Sequence, residues 1–365
     1  MPRILFVAAH RPGRSPSQRY RFEQFVPGWE AQGFQVTYAW SIDEDDDHHF
    51  YRPGALLPKA RIYAKSHARR AEQVRSARQH DLIFLQRETF MARGSRYERM
   101  LAATGVPLIY DFDDAIWLMN VSQGNHALRW LKDPGKIHRI LPLASLVIAG
   151  NDFLADHARR YTPHVATIPT VVDTARYRPE AAAEAQEGPL VIGWTGSRTT
   201  LPHLQAALPM LHELHRRSPV PFRLRVVCDV PFHAPGLPVE HRPWHPATEA
   251  EDLQGIHIGI MPMEENEWGR GKCGFKGLQY MALAKPVVLQ RHGVNPRIVQ
   301  HGANGLLASS SEEWVQALLH LLADADLRRQ LGHAARTTVE NHWSVQAWQH
   351  RYVQLFHQLI AEHRK

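Results

Sequence analysis

The chain is 365 residues long, 44% hydrophobic and 22% charged, with two cysteines; this excludes a mostly disordered chain, a collagen and a small disulfide scaffold. At roughly 150 residues per domain the length indicates two domains. The net charge of +7 lies almost wholly in residues 56–80, where Lys59, Arg61, Lys65, Arg69, Arg70, Arg75 and Arg78 face only Glu72, a distribution that argues against general nucleic-acid coating and for one local basic element.

The opening run Met-Pro-Arg-Ile-Leu-Phe-Val-Ala-Ala meets His10 and Arg11 too soon for a signal peptide. It reads as the first buried strand of a cytoplasmic protein. No stretch approaches the roughly 18 consecutive apolar residues of a membrane span. Strands are predicted at Arg3–Ala9, Gln35–Ala39, Leu82–Gln86, Leu108–Phe112, Leu146–Ala149 and Val165–Ile168, short and apolar as parallel strands buried on both faces are. Helical stretches fall between them near 17–32, 56–79, 93–104, 133–143 and 151–161. The acidic run Asp43–Asp47 reads as a solvated loop.

Residues 1–172 therefore form a first, doubly wound α/β domain. An Ala/Glu-rich stretch, 173–188, reads as an interdomain connection. The pattern restarts with strands at Leu190–Thr195, Phe222–Cys228, Ile256–Met263, Pro286–Leu289 and Gly305–Leu307. Helices are expected near 201–217 and at Lys276–Leu283, Ser311–Leu322 and Asp326–Val339. Residues 189–342 make a second α/β domain, so a cleft between the two is the expected ligand site. In open α/β sheets ligands bind beyond the carboxyl ends of the strands.

Four segments can carry chemistry. In Glu264–Ala282, Gly269, Gly271 and Gly274 precede a helix, and Arg270, Lys272 and Lys276 add cations to the same turn. Glycines allow close backbone approach and a helix start supplies free N–H groups, so a diphosphate fits there; a surface loop with solvated cations fits the same letters. Trp194–Thr200 offers Gly196, Ser197 and Arg198 in a second strand-to-helix turn, read either as an anion site or as ordinary helix capping. Tyr110–Trp117 places Asp111, Asp113 and Asp114 at a strand end. One of these carboxylates can orient or deprotonate a hydroxyl, or simply cap a helix. Asp111-Phe112-Asp113 also spells a metal-holding Asp-x-Asp, a tripeptide common by chance, and no metal is assigned. In Ser15–Arg21, Gln18, Arg19 and Arg21 are candidates for a polar or anionic acceptor, and Gln86-Arg87-Glu88 ends another strand in an equivalent location. The 24 histidines and Cys228 and Cys273 show no metal spacing.

With Ile192-Gly-Trp-Thr-Gly-Ser, the glycine–cation segment running on to Gln279-Tyr-Met-Ala-Leu-Ala-Lys-Pro-Val-Val, Gly293-Val-Asn, Gly302-Ala-Asn-Gly-Leu-Leu-Ala and Leu327-Arg-Arg-Gln-Leu-Gly in this order, the chain resembles the group 1 retaining glycosyltransferases (family 4). Tyr110–Trp117 and Ile168-Pro-Thr-Val-Val-Asp look like a branch of them. The resemblance implies the GT-B fold, two Rossmann-like domains with a nucleotide-sugar in the second and a last helix, 343–365, crossing back to the first. The family's two glutamates correspond to Gly271 and Gln279. It further implies a sugar moved, with retention, from a nucleoside-diphosphate sugar to a hydroxyl of a glycan or lipid-linked acceptor, in surface polysaccharide or glycoconjugate synthesis.

On this reading the donor meets Gly196, Ser197, Arg198, Arg270, Gly274, Phe275 and Gln279. Lys272 and Lys276 stabilise the departing diphosphate without a required cofactor or metal, and Asp113 or Asp114 orients the acceptor. Gln18, Arg19, Arg21 and Glu88 contact that acceptor. The 56–79 helix, with Leu56, Ala60, Tyr63 and Val74 on one arc and Arg61, Lys65 and Arg69 opposite, is a candidate for an anionic membrane surface. Two other readings stand beside it. One is a non-catalytic carbohydrate- or polyanion-binding protein. The other is an NAD-dependent oxidoreductase, which needs an acidic ribose ligand where Gln290-Arg291 follows the next strand.

Overall fold

Runs such as Leu82-Ile-Phe-Leu-Gln are buried at every position, which only a strand covered on both faces allows. In the computed structural model, which describes residues 1–51, 56–90, 93–118, 133–180 and 188–364, these runs build two six-stranded sheets. The chain divides into two units, Met1–Thr170 with Trp348–Lys365, and Val171–Ala347.

In the first unit β1 (Arg3–Val7), β2 (Gln35–Ala39), β3 (Leu82–Gln86), β4 (Leu108–Phe112), β5 (Leu146–Ala149) and β6 (Val165–Thr167) lie in the order β2-β1-β3-β4-β5-β6, all parallel. The winding reverses between β1 and β3, so the crevice that binds ligands in such sheets opens at their carboxyl ends. The C-terminal helix α16 (Val345–His363) contributes Tyr352 and Phe356 to an aromatic cluster with Phe25, Trp29 and Phe84. Gly28 is a glycine for steric reasons: a Cβ there would lie 2.0 Å from the Gln349 amide on that helix.

In the second unit β7 (Leu190–Gly196), β8 (Phe222–Cys228), β9 (Val239–Pro243), β10 (Ile258–Met261), β11 (Val287–Gln290) and β12 (Leu306–Ala308) run β12-β11-β10-β7-β8-β9, again parallel. Here the reversal falls between β7 and β10. Glycines admit bulky neighbours at this seam: Gly259 lies under the Tyr280 ring and Gly193 under Ile256.

Four local expectations change. The acidic run is not a loop but opens α3 (Glu44–Tyr51), with Glu44, Asp45, Asp46 and Asp47 in its first turn; acids there suit the helix dipole, which offsets the poor helix propensity of Asp. The single helix expected at 201–217 is two, α8 (Leu201–Ala206) and α9 (Leu208–Arg217), with Pro209 in the first turn of the second, where its missing N–H is tolerated. The edge strand β9, Val-Glu-His-Arg-Pro, was not expected because it is only half buried. Within the stretch read as a connection, Tyr177 is 1% exposed and its carbonyl accepts from Arg336 of the second unit; residues 181–187 lie outside the described part.

The basic helix is α4 (Leu56–Ala77), but its buried face is Ile62, Ser66, Arg70, Val74 and Ala77, while Tyr63 is 47% exposed and Ala60 is also exposed. Buried Arg70 donates to the carbonyls of Ala8, Ala39 and Thr89, at or just beyond the ends of β1, β2 and β3. It thereby ties three strand ends together, and burial lowers its pKa to about 9. Lys65 and Arg69, expected to be available to an anionic surface, pair with Asp43 of the acidic segment at 2.7 and 2.6 Å, and Lys65 also with Asp46 at 2.8 Å.

Candidate functional sites

In the first unit the crevice end of the sheet gathers acids and arginines from three strand ends. Asp111, still on β4, is fully buried and its two oxygens accept from Arg21 Nε at 3.2 Å each, with a further 2.5 Å contact from Arg21 Nη2. Arg21 is also fully buried, and its Nη1 donates to Ile168 O at 2.6 Å. Burial opposes its charge, but Asp111 and Tyr352 outweigh burial and raise its pKa. Arg21 is therefore an internal counter-ion and not, as expected, an acceptor ligand.

Gln18 is likewise turned inward, 1% exposed, donating to His10 O at 2.9 Å and accepting from His10 N–H at 3.2 Å. It closes the loop between β1 and α1 (Pro16–Arg21). Arg19 is buried, 4.9 Å from the Tyr20 ring centroid. Glu88 pairs with Lys136 at 3.2 Å.

Asp113 and Asp114 follow β4 and reach the surface, with side chains 12% and 18% exposed. Asp113 Oδ1 accepts from Ser17 Oγ at 2.7 Å and from Arg87 Nε and Nη2 at 2.9 and 2.7 Å. Arg87 Nη2 also donates to Asp114 Oδ2 at 2.6 Å, and Gln86 Nε2 donates to Ser17 Oγ at 2.6 Å. Burial pushes the Asp113 carboxyl up, but Arg87 and Arg21 prevail and hold it below its ordinary value. Ser17 and Arg87 were not singled out from sequence, although both sit in segments that were; nothing in the letters showed that they converge on one carboxylate.

The Asp-x-Asp oxygens are thus engaged by arginines of the same unit, and among the described residues no group of three or more His, Cys, Asp or Glu is placed to hold a metal ion.

In the second unit the seam between β7 and β10 carries the glycine–cation segment. Asn266 caps α11 (Glu267–Arg270) by accepting from Gly269 N–H at 2.8 Å. The segment folds closely on itself: a Cβ on Gly293 would lie 2.9 Å from Gly269 O, and one on Gly269 would lie 2.6 Å from Glu264 O. Gly274, at φ +69°, precedes α12 (Phe275–Ala282), in left-handed backbone suited to glycine.

Lys276, in the first turn of α12, holds its ammonium 4.5 Å from the Trp194 ring centroid. Lys272 lies 4.6 Å from that of Trp268. Burial, then repulsion from Lys272, push the Lys276 pKa down to about 7. Arg270 is exposed and Phe275 half buried. His203 joins the group: its Nδ1 accepts from Glu264 N–H at 3.4 Å, and burial followed by Lys276 lowers its pKa. Sequence reading missed it because a single histidine in α8 carries no spacing signal.

The other donor candidates are arranged differently from expectation. Gln279, placed at a ribose by resemblance, is 2% exposed and donates to Tyr177 Oη at 2.8 Å. It is a core link of this unit. Gly196 packs against the Trp194 indole, where a Cβ would approach to 2.3 Å. Ser197 N–H donates to Thr200 Oγ1 at 3.0 Å and Arg198 N–H to Asp229 Oδ1 at 2.6 Å. The helix that follows this turn, α8, has only six residues, whereas α12 has eight.

Residues 191–324 match the family model described as glycosyl transferases group 1. Curated proteins give no match. Among solved structures, the sucrose-phosphate synthase from Thermosynechococcus elongatus superposes with a TM-score of 0.69 at 15% identity, covering 99% of this chain and 100% of that one. The Anabaena protein HepE, in complex with UDP and glucose, gives 0.65 at 17% identity, over 98% and 100%. A UDP-forming trehalose-phosphate synthase from Burkholderia xenovorans gives 0.65 at 12% identity, over 98% and 99%. These likenesses show a two-domain α/β fold of the GT-B type. The family match lies within the second unit and supports a transferase enzyme.

Proposed function

We propose that the protein transfers a glycosyl group from a nucleoside-diphosphate sugar to a hydroxyl of a glycan or lipid-linked acceptor, with retention of configuration, in surface polysaccharide or glycoconjugate synthesis. One observation carries the donor assignment: Gly274, Lys272 and Lys276 gather backbone N–H groups and two ammonium groups at the start of α12, at the strand reversal of a group 1 glycosyltransferase domain. That arrangement suits two phosphates. HepE was solved with UDP and with UDP-glucose, so UDP-sugars are the first donors to test.

The negative charge that develops as the diphosphate leaves is met by fixed positive groups, which is electrostatic catalysis built from the chain itself. Lys272 and Lys276 supply the charge, with Arg198 and Arg270 at the rim. In the first unit Asp113 and Asp114 are acceptor-only groups that can align an acceptor hydroxyl and take its proton as the new bond forms. We place the acceptor there.

We further infer that α4 brings the first unit to anionic lipid. The support is the exposure of Leu57 (85%) and Tyr63 (47%) beside Arg61, an apolar and cationic mixture suited to an interface. Among the described residues no helix is long and apolar enough to cross a membrane.

The test is release of nucleoside diphosphate from a panel of nucleotide-sugars, with and without hydroxyl acceptors, and NMR assignment of the anomeric proton in the product. Acceptor-dependent release with retention supports the reading. Binding of glycans without turnover of any nucleotide-sugar would favour a carbohydrate-binding protein.

A further inference from the structure

Arg87 is one of two non-glycine residues with positive φ among the described residues, at +59°. Glu88 N–H donates to Gln86 O at 2.8 Å across it, so it is the centre of a three-residue turn of the strained kind. Such a conformation persists where surroundings over-determine it, and it clusters at functional sites. Its own N–H donates to Asp111 O at 2.8 Å, which fixes the turn to the end of β4. From there the guanidinium reaches both Asp113 and Asp114.

The three acids of the segment are treated differently. Asp111 is sealed, its side chain 0% exposed and matched to Arg21. Asp113 and Asp114 keep solvent access and share the Arg87 guanidinium. Two neighbouring carboxylates without a cation between them tend to hold one proton in common, and a protonated carboxyl donates where a hydroxyl substrate needs an acceptor. One guanidinium bridging both removes that tendency.

We propose that Arg87 is a positioning residue for the transfer reaction, held in a strained turn so that it keeps Asp113 and Asp114 as a fixed pair of acceptors for the hydroxyls of the acceptor substrate. This rests on the assignment of the acceptor to the first unit. Arg87 acts through the two carboxylates and not on the substrate. Ser17 and Gln86 complete the support from the opposite side of Asp113.

Three variants test it. Arg87→Gln removes the charge and keeps a side chain in the strained turn. Arg87→Gly removes the charge and relieves the turn. Arg87→Lys keeps the charge and loses the fork. The acid limb of kcat/KM is expected to move up by about one pH unit or more in the Gln and Gly variants, as carboxylates lose a neighbouring cation. In the Lys variant it stays near its wild-type position, with kcat partly recovered. A purely structural role predicts instead that Arg87→Gly, the unstrained form, restores kcat with the wild-type pH profile; that result overturns the proposal, as does an unchanged acid limb in Arg87→Gln.

A second readout needs no substrate. Carbon-13 NMR titration of the aspartate carboxyls in the full chain, with Asp113 assigned through Asp113→Asn, should show Asp113 titrating at higher pH once Arg87 is glutamine. If it does not move, the clamp is refuted. If it moves but the wild-type enzyme transfers no sugar to any hydroxyl, the clamp stands and the transfer reading is what fails.

Discussion

The Lys276 ammonium sits over the face of Trp194, 4.5 Å from the ring centroid, and no carboxylate of the described residues pairs with it. The indole offers cation–π attraction but does not neutralise the charge, and the pKa falls to about 7 from an ordinary 10.5. The folded chain therefore holds this proton more weakly than the unfolded chain between pH 7 and 10.5. Below about pH 7 the cost of the buried charge is fully present; as pH rises through that window it is relieved, so this site makes the protein more stable at higher pH.

Lys276→Met should accordingly raise the stability of the ligand-free protein at pH 7 and flatten the rise in Tm between pH 7 and 10. The same substitution should weaken nucleoside-diphosphate binding by roughly 1.5–3 kcal/mol, the value of a charge-assisted hydrogen bond. Thermal unfolding with and without UDP across that pH range measures both effects. A variant less stable than wild type that still binds UDP normally would remove Lys276 from the donor site.

Arg21→Ala should destabilise the first unit severely. It leaves Asp111 buried without its partner, and breaking a buried ion pair costs about 3–5 kcal/mol. Urea unfolding followed by the fluorescence of Trp29, which lies in that unit, reads this directly. A loss below about 1 kcal/mol, in the range of an exposed pair, would contradict the buried pairing.

Gly274→Ala should lower both stability and UDP affinity. The glycine is at φ +69°, and a Cβ would approach Ile298 Cδ1 to 2.3 Å. The backbone strain costs roughly 1–3 kcal/mol, and relief would shift the first N–H groups of α12. Circular dichroism melting and a UDP titration of the variant check the two halves; wild-type values in both would mean that the turn tolerates a side chain.

Much of the fold was legible because parallel strands buried on both faces are written as continuous apolar runs, as in Leu82–Gln86 and Leu108–Phe112. The start of α12 was legible for a similar reason, since Gly274 and the two lysines are adjacent in sequence. What could not be read is partnership over long separations. Arg21 and Asp111 lie 90 positions apart and Gln279 and Tyr177 lie 102 apart, so an arginine and a glutamine that look like ligands prove to be internal links. The helix α4 misled through its periodicity: Tyr63 and Val74 fall on one arc of the pattern, yet the inward stripe runs through Ser66 and Arg70, polar residues that are buried because they find backbone carbonyls.

That correction sharpens the membrane proposal. Lys65 and Arg69 are engaged by Asp43 and Asp46, so replacing them with glutamine should change binding to anionic vesicles little. Replacing Leu57 and Tyr63 with serine and Arg61 with glutamine should reduce it at low salt, by about 1 kcal/mol for the charge. Vesicle co-sedimentation separates the two sets of substitutions. If the wild type ignores phosphatidylglycerol vesicles at low salt, α4 is not a membrane element.

A second unit that holds a nucleoside diphosphate through protein cations at the start of α12 binds it without a metal. Calorimetric titration of UDP into the 365-residue chain, with excess EDTA, measures this, repeated with Lys272→Ala and Lys276→Ala. The expected result is saturable one-site binding that survives the chelator, takes up protons above pH 7 as Lys276 regains its charge, and weakens at least tenfold in each variant. Binding that vanishes with EDTA and returns with magnesium, or that is equally tight in both lysine variants, would contradict it.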